Sequence, residues 1–240
     1  KLHWQTDPDA ALRYAQEGLQ IAERLRYDRG RAANLNAVGI VHYLRGDFER
    51  AQPLLEEATS LRIALLAAGI RAEDEVIVPP YTFISTASAV IEANAIPVFA
   101  DIDLHTFNLD PAAVERALTP RTRALIPVHF AGQPADMEAL MAIARARGLV
   151  VIEDAAHAHG ASYQGRAVGS LGDMASFSFQ SSKNLTAGEG GIITTKDEAL
   201  AESCRSIQNC GRVAGGVWYE HHVIAGNYRR GEIRGAVWNG

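Results

Sequence analysis

One lysine is the first residue whose surroundings suggest chemistry. Lys183 follows a stretch of alternating apolar residues, 176–179, that predicts a short buried strand, and it lies in a loop that is rich in Ser and then in Gly. A lysine in such a loop can simply be a solvated side chain. The small neighbours would equally let a cofactor aldehyde reach the lysine nitrogen, as a covalent cofactor site requires. The lysine alone leaves both interpretations open.

A pair of acids upstream favours the second interpretation. The apolar run 149–152 predicts a buried parallel strand that ends in Glu153 and Asp154, and open α/β sheets bind ligands at the carboxyl ends of such strands. Asp154 could instead be the N-cap of a following helix. However, pyridoxal phosphate requires an acid that keeps its pyridine nitrogen protonated and a lysine that holds its aldehyde. Asp154 and Lys183 therefore predict a pyridoxal phosphate site.

Further motifs support this prediction by their order and spacing. They are Asp74–Phe83 (DEVIVPPYTF), Ile126–Pro134 (IPVHFAGQP), Glu153–Gly160 (EDAAHAHG), the lysine loop 176–191 and Gly226–Arg229 (GNYR). Together they resemble the DegT/DnrJ/StrS sugar aminotransferases, a group within the fold-type I enzymes that use pyridoxal phosphate. The resemblance covers about residues 61–240 and not the first 60.

The resemblance implies roles for the residues at matching positions. Lys183 would hold the cofactor aldehyde and, once released, move a proton between the Cα of the amino donor and the cofactor C4′. Asp154 would keep the pyridinium proton in place, since an opposite charge favours the charged form. His157 would contact the cofactor, whereas His159 is expected to be a structural histidine packed in the turn. No residues suggest a metal site.

Three other positions carry expectations from the same resemblance. The ring of Phe83 would stack on the pyridine, although a core Phe beneath a helix fits the same sequence. Ser178 would hydrogen-bond the phosphate, although a buried hydroxyl at a strand end also occurs without any ligand. Asn227 would reach the phosphate of the neighbouring subunit, so the resemblance implies a homodimer that shares its active sites.

The implied reaction moves an amino group from glutamate or glutamine to a keto-sugar, linked to a nucleotide, or to a keto-cyclitol. Family members that are dehydratases lack the lysine, so Lys183 argues against that class. The alternative is of another kind: a catalytically idle aminotransferase remnant attached to a helical-repeat module that binds other proteins.

Strands and helices alternate from residue 61 onwards. This alternation predicts an α/β fold with a doubly wound, mostly parallel sheet, and the resemblance identifies it with the large domain of fold type I. Asp110 and Pro111 predict the start of a helix, and Gly148 predicts the end of another. The predicted strands are 75–78, 96–99, 124–128, 149–152, 176–179 and 192–195, and the predicted helices are 61–69, 85–93, 110–118, 136–147 and 197–207.

The first 60 residues predict an all-α segment of paired helices at 9–25, 31–45 and 48–61. Their pattern of small and apolar residues resembles tetratricopeptide repeats with a period of about 40 residues, and a generic amphipathic helical hairpin is the alternative. We therefore expect two domains. A repeat segment at 1–60 would bind no cofactor and could contact a protein partner. An aminotransferase large domain at 61–240 would lack the small C-terminal domain of the family.

Composition argues against several other classes. The net charge of −5 gives no basis for nucleic-acid binding. No apolar run approaches the roughly 18 residues of a membrane span, and the first residues do not form a signal peptide. Cys204 and Cys210 are interpreted as free thiols in a reducing compartment. We therefore expect a cytoplasmic protein.

The residues before the first aminotransferase helix predict weak cofactor binding. In the family, a Ser-Gly-Thr turn at this point supplies backbone N–H groups to the phosphate. This chain has Glu56-Glu57-Ala58-Thr59-Ser60 instead, with two carboxylates and no Gly. We expect the dissociation constant for pyridoxal phosphate, measured by absorbance titration, to be well above that of full-length relatives. An affinity as tight as theirs would contradict this prediction.

Overall fold

A computed structural model describes residues 59–187, 190–217 and 219–228. The predicted repeat helices before residue 59, the Gly188-Glu189 part of the lysine loop and Arg229 lie outside the described residues. The described region is therefore most of the segment that carries the aminotransferase motifs.

The centre of the fold is a six-stranded sheet that is parallel except at one edge. The strands of the described region are β1 (Glu75–Val78), β2 (Ile96–Phe99), β3 (Thr122–Leu125), β4 (Val150–Asp154), β5 (Ser162–Tyr163), β6 (Arg166–Ala167), β7 (Met174–Ser178) and β8 (Gly191–Thr195). The sheet has the order β2-β1-β3-β4-β7-β8, with β8 antiparallel to β7, while β5 and β6 form a separate hairpin. The predicted α/β fold with a mostly parallel sheet is confirmed.

Helices connect the strands and cover both faces of the sheet. In the described region they are α1 (59–67), α2 (Ile84–Glu92), α3 (Pro111–Ala117), α4 (Met137–Arg147) and α5 (Glu198–Gln208). The side chains of Asp110, Asp136 and Asp197 accept hydrogen bonds from first-turn N–H groups and so cap α3, α4 and α5. Gly148 ends α4 in the left-handed conformation, as predicted. None of these helices combines the length and apolarity that crossing a bilayer requires.

Several strand boundaries differ from the prediction. β3, β7 and β8 begin before their predicted first residues, β4 begins one residue later, and β3, β4 and β7 end elsewhere. Two of these differences bear on the site. The prediction of 124–128 for β3 is wrong at its end, because Pro127 has no N–H to donate to the ladder. Val128 pairs with Asp154 only as an isolated bridge. The predicted end of β4 at Ile152 is also wrong, since the strand continues through both acids to Asp154. The side chains of Glu153 and Asp154 therefore point to opposite faces of the sheet.

Each face of the sheet buries its own apolar cluster. Val76 and Val78 pack with α1, α2 and α5, whereas Ile77 between them packs with α3 and α4. Successive side chains of a strand alternate between faces, so a strand buried on both sides is apolar throughout. The sheet is therefore a middle layer, and its strand ends are the places where polar residues can gather.

Helix α1 approaches the antiparallel edge of the sheet closely. The Oγ atoms of Ser60 and Ser176 lie 2.6 Å apart, and Leu61 next to Ser60 is fully buried. A Cβ added at Gly191 would lie 2.8 Å from Ser60 Oγ and 3.1 Å from the backbone oxygen of Phe177. The seating of α1 therefore requires a residue without a side chain at position 191.

Gly191→Ala is expected to lower the free energy of unfolding by about 1–3 kcal/mol, because the new methyl group overpacks this contact. Urea titration would measure the loss. Ser60→Ala removes the nearest clashing atom, so the double variant should lose less than the sum of the two single losses. Gly216→Ala is the control, since its Cβ would come no closer than 3.3 Å to a described atom. Equal losses in Gly191→Ala and Gly216→Ala would contradict the proposed clash.

Candidate active site

The carboxyl ends of β1, β4 and β7 lie at one edge of the sheet, because these strands are parallel. Asp154 ends β4 and Ser178 ends β7, while Phe83 and Lys183 lie in the loops that follow β1 and β7. The Nζ of Lys183 lies 6.0 Å from the centre of the Phe83 ring. The structure therefore brings four of the predicted site residues to one edge.

Asp154 is almost fully buried, and its carboxylate is held by two hydrogen bonds. Oδ2 accepts from the hydroxyl of Thr86 at 2.7 Å, and Oδ1 accepts from the backbone N–H of Ala156 at 3.3 Å. A carboxylate has about four acceptor positions, and these are the hydrogen bonds that residues of the described region make to it. Acceptor positions therefore remain for a further donor.

Thr86 is a site residue that sequence reasoning missed, since the prediction placed it in a helix and gave it no role. Phe83 is the N-cap of α2 and Thr86 lies in its first turn. Residues three apart lie on the same side of a helix, so one end of α2 brings Phe83 towards Lys183 and Thr86 to Asp154. This spacing is the signal that could have found it.

The loop around Lys183 is held by hydrogen bonds among its own residues. The backbone N–H of Lys183 donates to the carbonyl of Gln180 at 2.9 Å, and the backbone N–H of Ser182 donates to the side-chain oxygen of Gln180 at 2.9 Å. Phe83, across from this loop, is 41% exposed. The alternative of a core Phe therefore does not describe this ring.

The two histidines after Asp154 differ in their surroundings. His157 is exposed as a whole residue, but partial loss of hydration around its ring and the positive charge of Lys183 hold its pKa below the ordinary value, while the carboxylate of Asp154 acts in the opposite direction. Both charged groups therefore lie near His157. The ring of His159 packs against Phe177 and Phe179, with ring centres 5.4 and 5.2 Å away. Burial lowers the pKa of His159 as well.

The hydroxyl groups expected near the phosphate already make hydrogen bonds within the protein. Ser178 is buried, and its Oγ lies 3.4 Å from the backbone N–H of Gln180, a long hydrogen bond. Ser60, in the segment where the family has its phosphate turn, shares a hydrogen bond with Ser176 instead. A hydroxyl that packs α1 against the sheet is poorly placed to serve a ligand as well.

Asn227 is the predicted site residue that lies apart from Lys183, Asp154 and the other predicted residues at the edge of the sheet. It forms an isolated bridge with Asn209, just after α5. Together with Ser60 and Gly191 it lines a cavity of about 680 Å³ beside α1, β8 and α5. The expected contact with the phosphate of a second subunit stays a prediction.

Glu153, the acid before Asp154, faces away from the candidate site. It is fully buried on the opposite face of the sheet. Burial alone would raise the pKa of Glu153, but hydrogen bonds from the ring of His129 and from the backbone N–H groups of Gly172 and Gly169 outweigh burial and lower the pKa. Glu153 is therefore a charged group of the protein interior.

The fold is that of the large domain of fold-type I enzymes, which use pyridoxal phosphate. The chain belongs to the DegT/DnrJ/EryC1/StrS aminotransferase family, whose model matches residues 56–239. A tetratricopeptide repeat model matches residues 2–64. Both resemblances found in the sequence are confirmed, and the two matches overlap at residues 56–64.

Sequence relatives include aminotransferases of cyclitols and sugars. An L-glutamine:scyllo-inosose aminotransferase from Streptomyces griseus is 50% identical over 161 residues, which are 67% of this chain and 38% of the relative. A GDP-perosamine synthase from Caulobacter vibrioides is 47% identical over 180 residues, 75% of this chain and 48% of the relative. The chain thus spans less than half of the length of these relatives.

Solved structures that superpose on this chain include an aminotransferase and a protein with a bound cofactor. An aminotransferase from Psychrobacter cryohalolentis superposes with a TM-score of 0.73 at 39% identity, over 77% of this chain and 49% of the other. NtdA from Bacillus subtilis, solved with bound cofactor PMP, superposes with a TM-score of 0.70 at 33% identity, over 75% of this chain and 41% of the other.

The charges around His157 predict opposite shifts in two variants of the cofactor-free chain. Lys183→Ala should raise the pKa of His157 towards the ordinary value of about 6.5, because a positive neighbour is lost. Asp154→Asn should lower it further, because a negative neighbour is lost. NMR titration of the His157 ring would measure both shifts. Lys196→Ala is the control, since this ammonium donates to the carbonyl of Ser170 instead. A shift of the same sign in both site variants would contradict the prediction.

Proposed function

We propose that this chain binds pyridoxal phosphate through Lys183 and transfers an amino group from glutamate or glutamine to a keto-sugar or keto-cyclitol. The observation that carries the proposal is the placement of Asp154 at the end of β4 and of Lys183 in the loop after β7, at the same edge of the sheet, with the Lys183 amine 6.0 Å from the ring of Phe83. A lysine and an acid gathered at the carboxyl ends of parallel strands are what an enzyme of this class needs.

The relatives support the choice of substrates. One takes its amino group from glutamine and acts on an inosose, a keto-cyclitol, and another makes a nucleotide-linked amino sugar. A structural neighbour binds PMP, the amino form of pyridoxal phosphate. For this chain we propose the delivery of an amino group to a ring ketone through this cofactor, which agrees with these three names.

The residues at the edge fit the ring and aldehyde of the cofactor. The carboxylate of Asp154 has acceptor positions left for the N–H of a pyridinium ring, and Thr86 keeps it oriented. The ring of Phe83 is partly exposed beside the amine of Lys183, where a flat aromatic ligand could stack on it. The phosphate end fits less well, because Ser60 is engaged with Ser176.

When bound, pyridoxal phosphate supplies an aldehyde that condenses with amines and a pyridinium ring that withdraws electrons from the carbon beside the amine. Lys183 would hold the aldehyde carbon until the donor arrives. Its freed amine would then move the proton from the Cα of the donor to the C4′ of the cofactor. Asp154 would hold the proton on the pyridine nitrogen, with Thr86 preventing its carboxylate from turning away. Phe83 would exclude water from one side of the ring.

The organisation of the whole protein is also part of the proposal. The repeat segment at 1–60 would contact a protein partner, and the aminotransferase large domain would occupy 61–240. A second copy of the chain would complete each site through Asn227. The cysteines Cys204 and Cys210 are free thiols, which suits the proposed cytoplasmic location.

The test is cofactor reconstitution followed by reduction. The chain incubated with pyridoxal phosphate should turn yellow, and borohydride should bleach it and leave the cofactor attached to Lys183 in a peptide mass map. Lys183→Ala should stay colourless. Asp154→Asn should still turn yellow but lose about 100-fold or more in half-transamination with glutamine, because proton control at the ring is lost.

Lys196→Ala is the matched control, since it removes a lysine that lies between β8 and α5, and it should behave as the unaltered chain does. A chain that stays colourless at millimolar cofactor would overturn the proposal and support the idle remnant. Attachment of the cofactor to a lysine other than Lys183 would overturn the assignment of the site.

A further inference from the structure

We propose that His129 and Glu153 form a positioning pair, which holds the carboxylate of Asp154 in place from the opposite face of the sheet. Both side chains are fully buried, and Glu153 lies on the face of the sheet opposite to Asp154. The role of Asp154 rests on the proposed function, whereas the contacts of the pair do not.

His129 contacts the end of β4 in two ways. Its backbone N–H donates to the carbonyl of Asp154 at 3.0 Å, and its ring Nε2 lies 2.9 Å from Oε2 of Glu153. Its Nδ1 accepts the backbone N–H of Ala135 at 3.1 Å. The ring proton is therefore assigned to Nε2, which donates it to Glu153. Both ring nitrogens are engaged, so the ring has one orientation.

Glu153 fills its acceptor positions with donors from a second segment. Oε2 also accepts the N–H of Gly169 at 2.9 Å, and Oε1 accepts the N–H groups of Leu171 and Gly172, both at 2.8 Å. A Cβ at Gly172 would lie 2.8 Å from the carbonyl of Val151, so this segment packs directly on the backbone of β4. A buried carboxylate with all its acceptor positions filled anchors the strand end on which it sits.

Asp154 is thus held between two sets of contacts. Thr86 donates a hydrogen bond to its carboxylate on one face of the sheet. On the other face, the hydrogen bond between His129 and Glu153 fixes the backbone next to Asp154. Beyond the end of β3, the backbone N–H of Asp154 also donates to the carbonyl of Pro127 at 2.8 Å. Since a shift of about 1 Å in a positioned group can cost about 100-fold in rate, the fixing of this strand end matters to the site.

Two substitutions of His129 separate positioning from simple packing. Gln places its amide nitrogen near the Nε2 of His and so keeps the donor to Glu153, while losing the contact with Ala135. Asn places its oxygen near Nδ1 and so keeps the contact with Ala135, while losing the donor to Glu153. The two variants each lose one buried hydrogen bond of the ring but differ in which one.

The first readout needs no cofactor. In the full chain, His129→Asn should shift the pKa of His157 downward, in the direction of Asp154→Asn and by at least half as much, because the carboxylate moves away. His129→Gln should leave the pKa of His157 unchanged. The second readout is the dissociation constant for pyridoxal phosphate, which His129→Asn should raise about tenfold and His129→Gln should not. Where His129→Asn does not fold, Glu153→Asp withdraws the carboxylate from His129 and carries the same expectations.

Glu75→Gln is the control for lost stability alone. Glu75 is also a buried carboxylate at a strand end, bonded by Thr119 and Arg121, but it lies at the amino edge of the sheet. It should lower stability and move neither readout. The proposed role of the pair would be overturned if His129→Asn and His129→Gln changed the pKa of His157 and the dissociation constant equally. It would also be overturned if Glu75→Gln changed them as much as His129→Asn does. A chain that binds no cofactor would overturn the proposed function, while the titration of His157 would still decide on the pair.

Discussion

The pleat of β4 sends two adjacent carboxylates to opposite faces of the sheet, and the candidate site depends on this division. Glu153 enters the interior, where His129 and the backbone of 169–172 hold it as an anion. Asp154 emerges on the other face beside Thr86. Because a slip of one residue would exchange the two side chains, the register of β4 against β7 decides which acid faces the site.

Helix α1 links the site region to the segment that precedes it. The repeat and aminotransferase matches share residues 56–64, and within this overlap Leu61 and Ala64 are fully buried in the core of the α/β region. The two matched parts therefore share a helix instead of being separated by a linker. The same helix carries Ser60, whose hydroxyl bonds β7. Close packing of α1 thus uses a polar group near the place where the family binds phosphate.

Local signals in the sequence were sufficient for much of the fold. The bounds of β1 and β2, the cap at Asp110 and the end at Gly148 follow from short-range rules of burial, hydrogen bonding and backbone conformation. The end of β3 did not follow, because an apolar run around Pro127 looks like a strand while the ladder stops where the N–H is missing. Where a boundary depended on a partner strand, periodicity could not place it.

For the site, the sequence by itself determined which residue types are available: a lysine in a loop of small residues, an acid at a strand end and an aromatic residue after another strand. Motif order was enough to place them in a family. Only the tertiary structure decided that Phe83 approaches Lys183, that Thr86 bonds Asp154 and that Glu153 turns inward to His129. These contacts join residues far apart in the chain. They arise because parallel strands bring their carboxyl ends to one edge, and no local pattern records which side chains meet there.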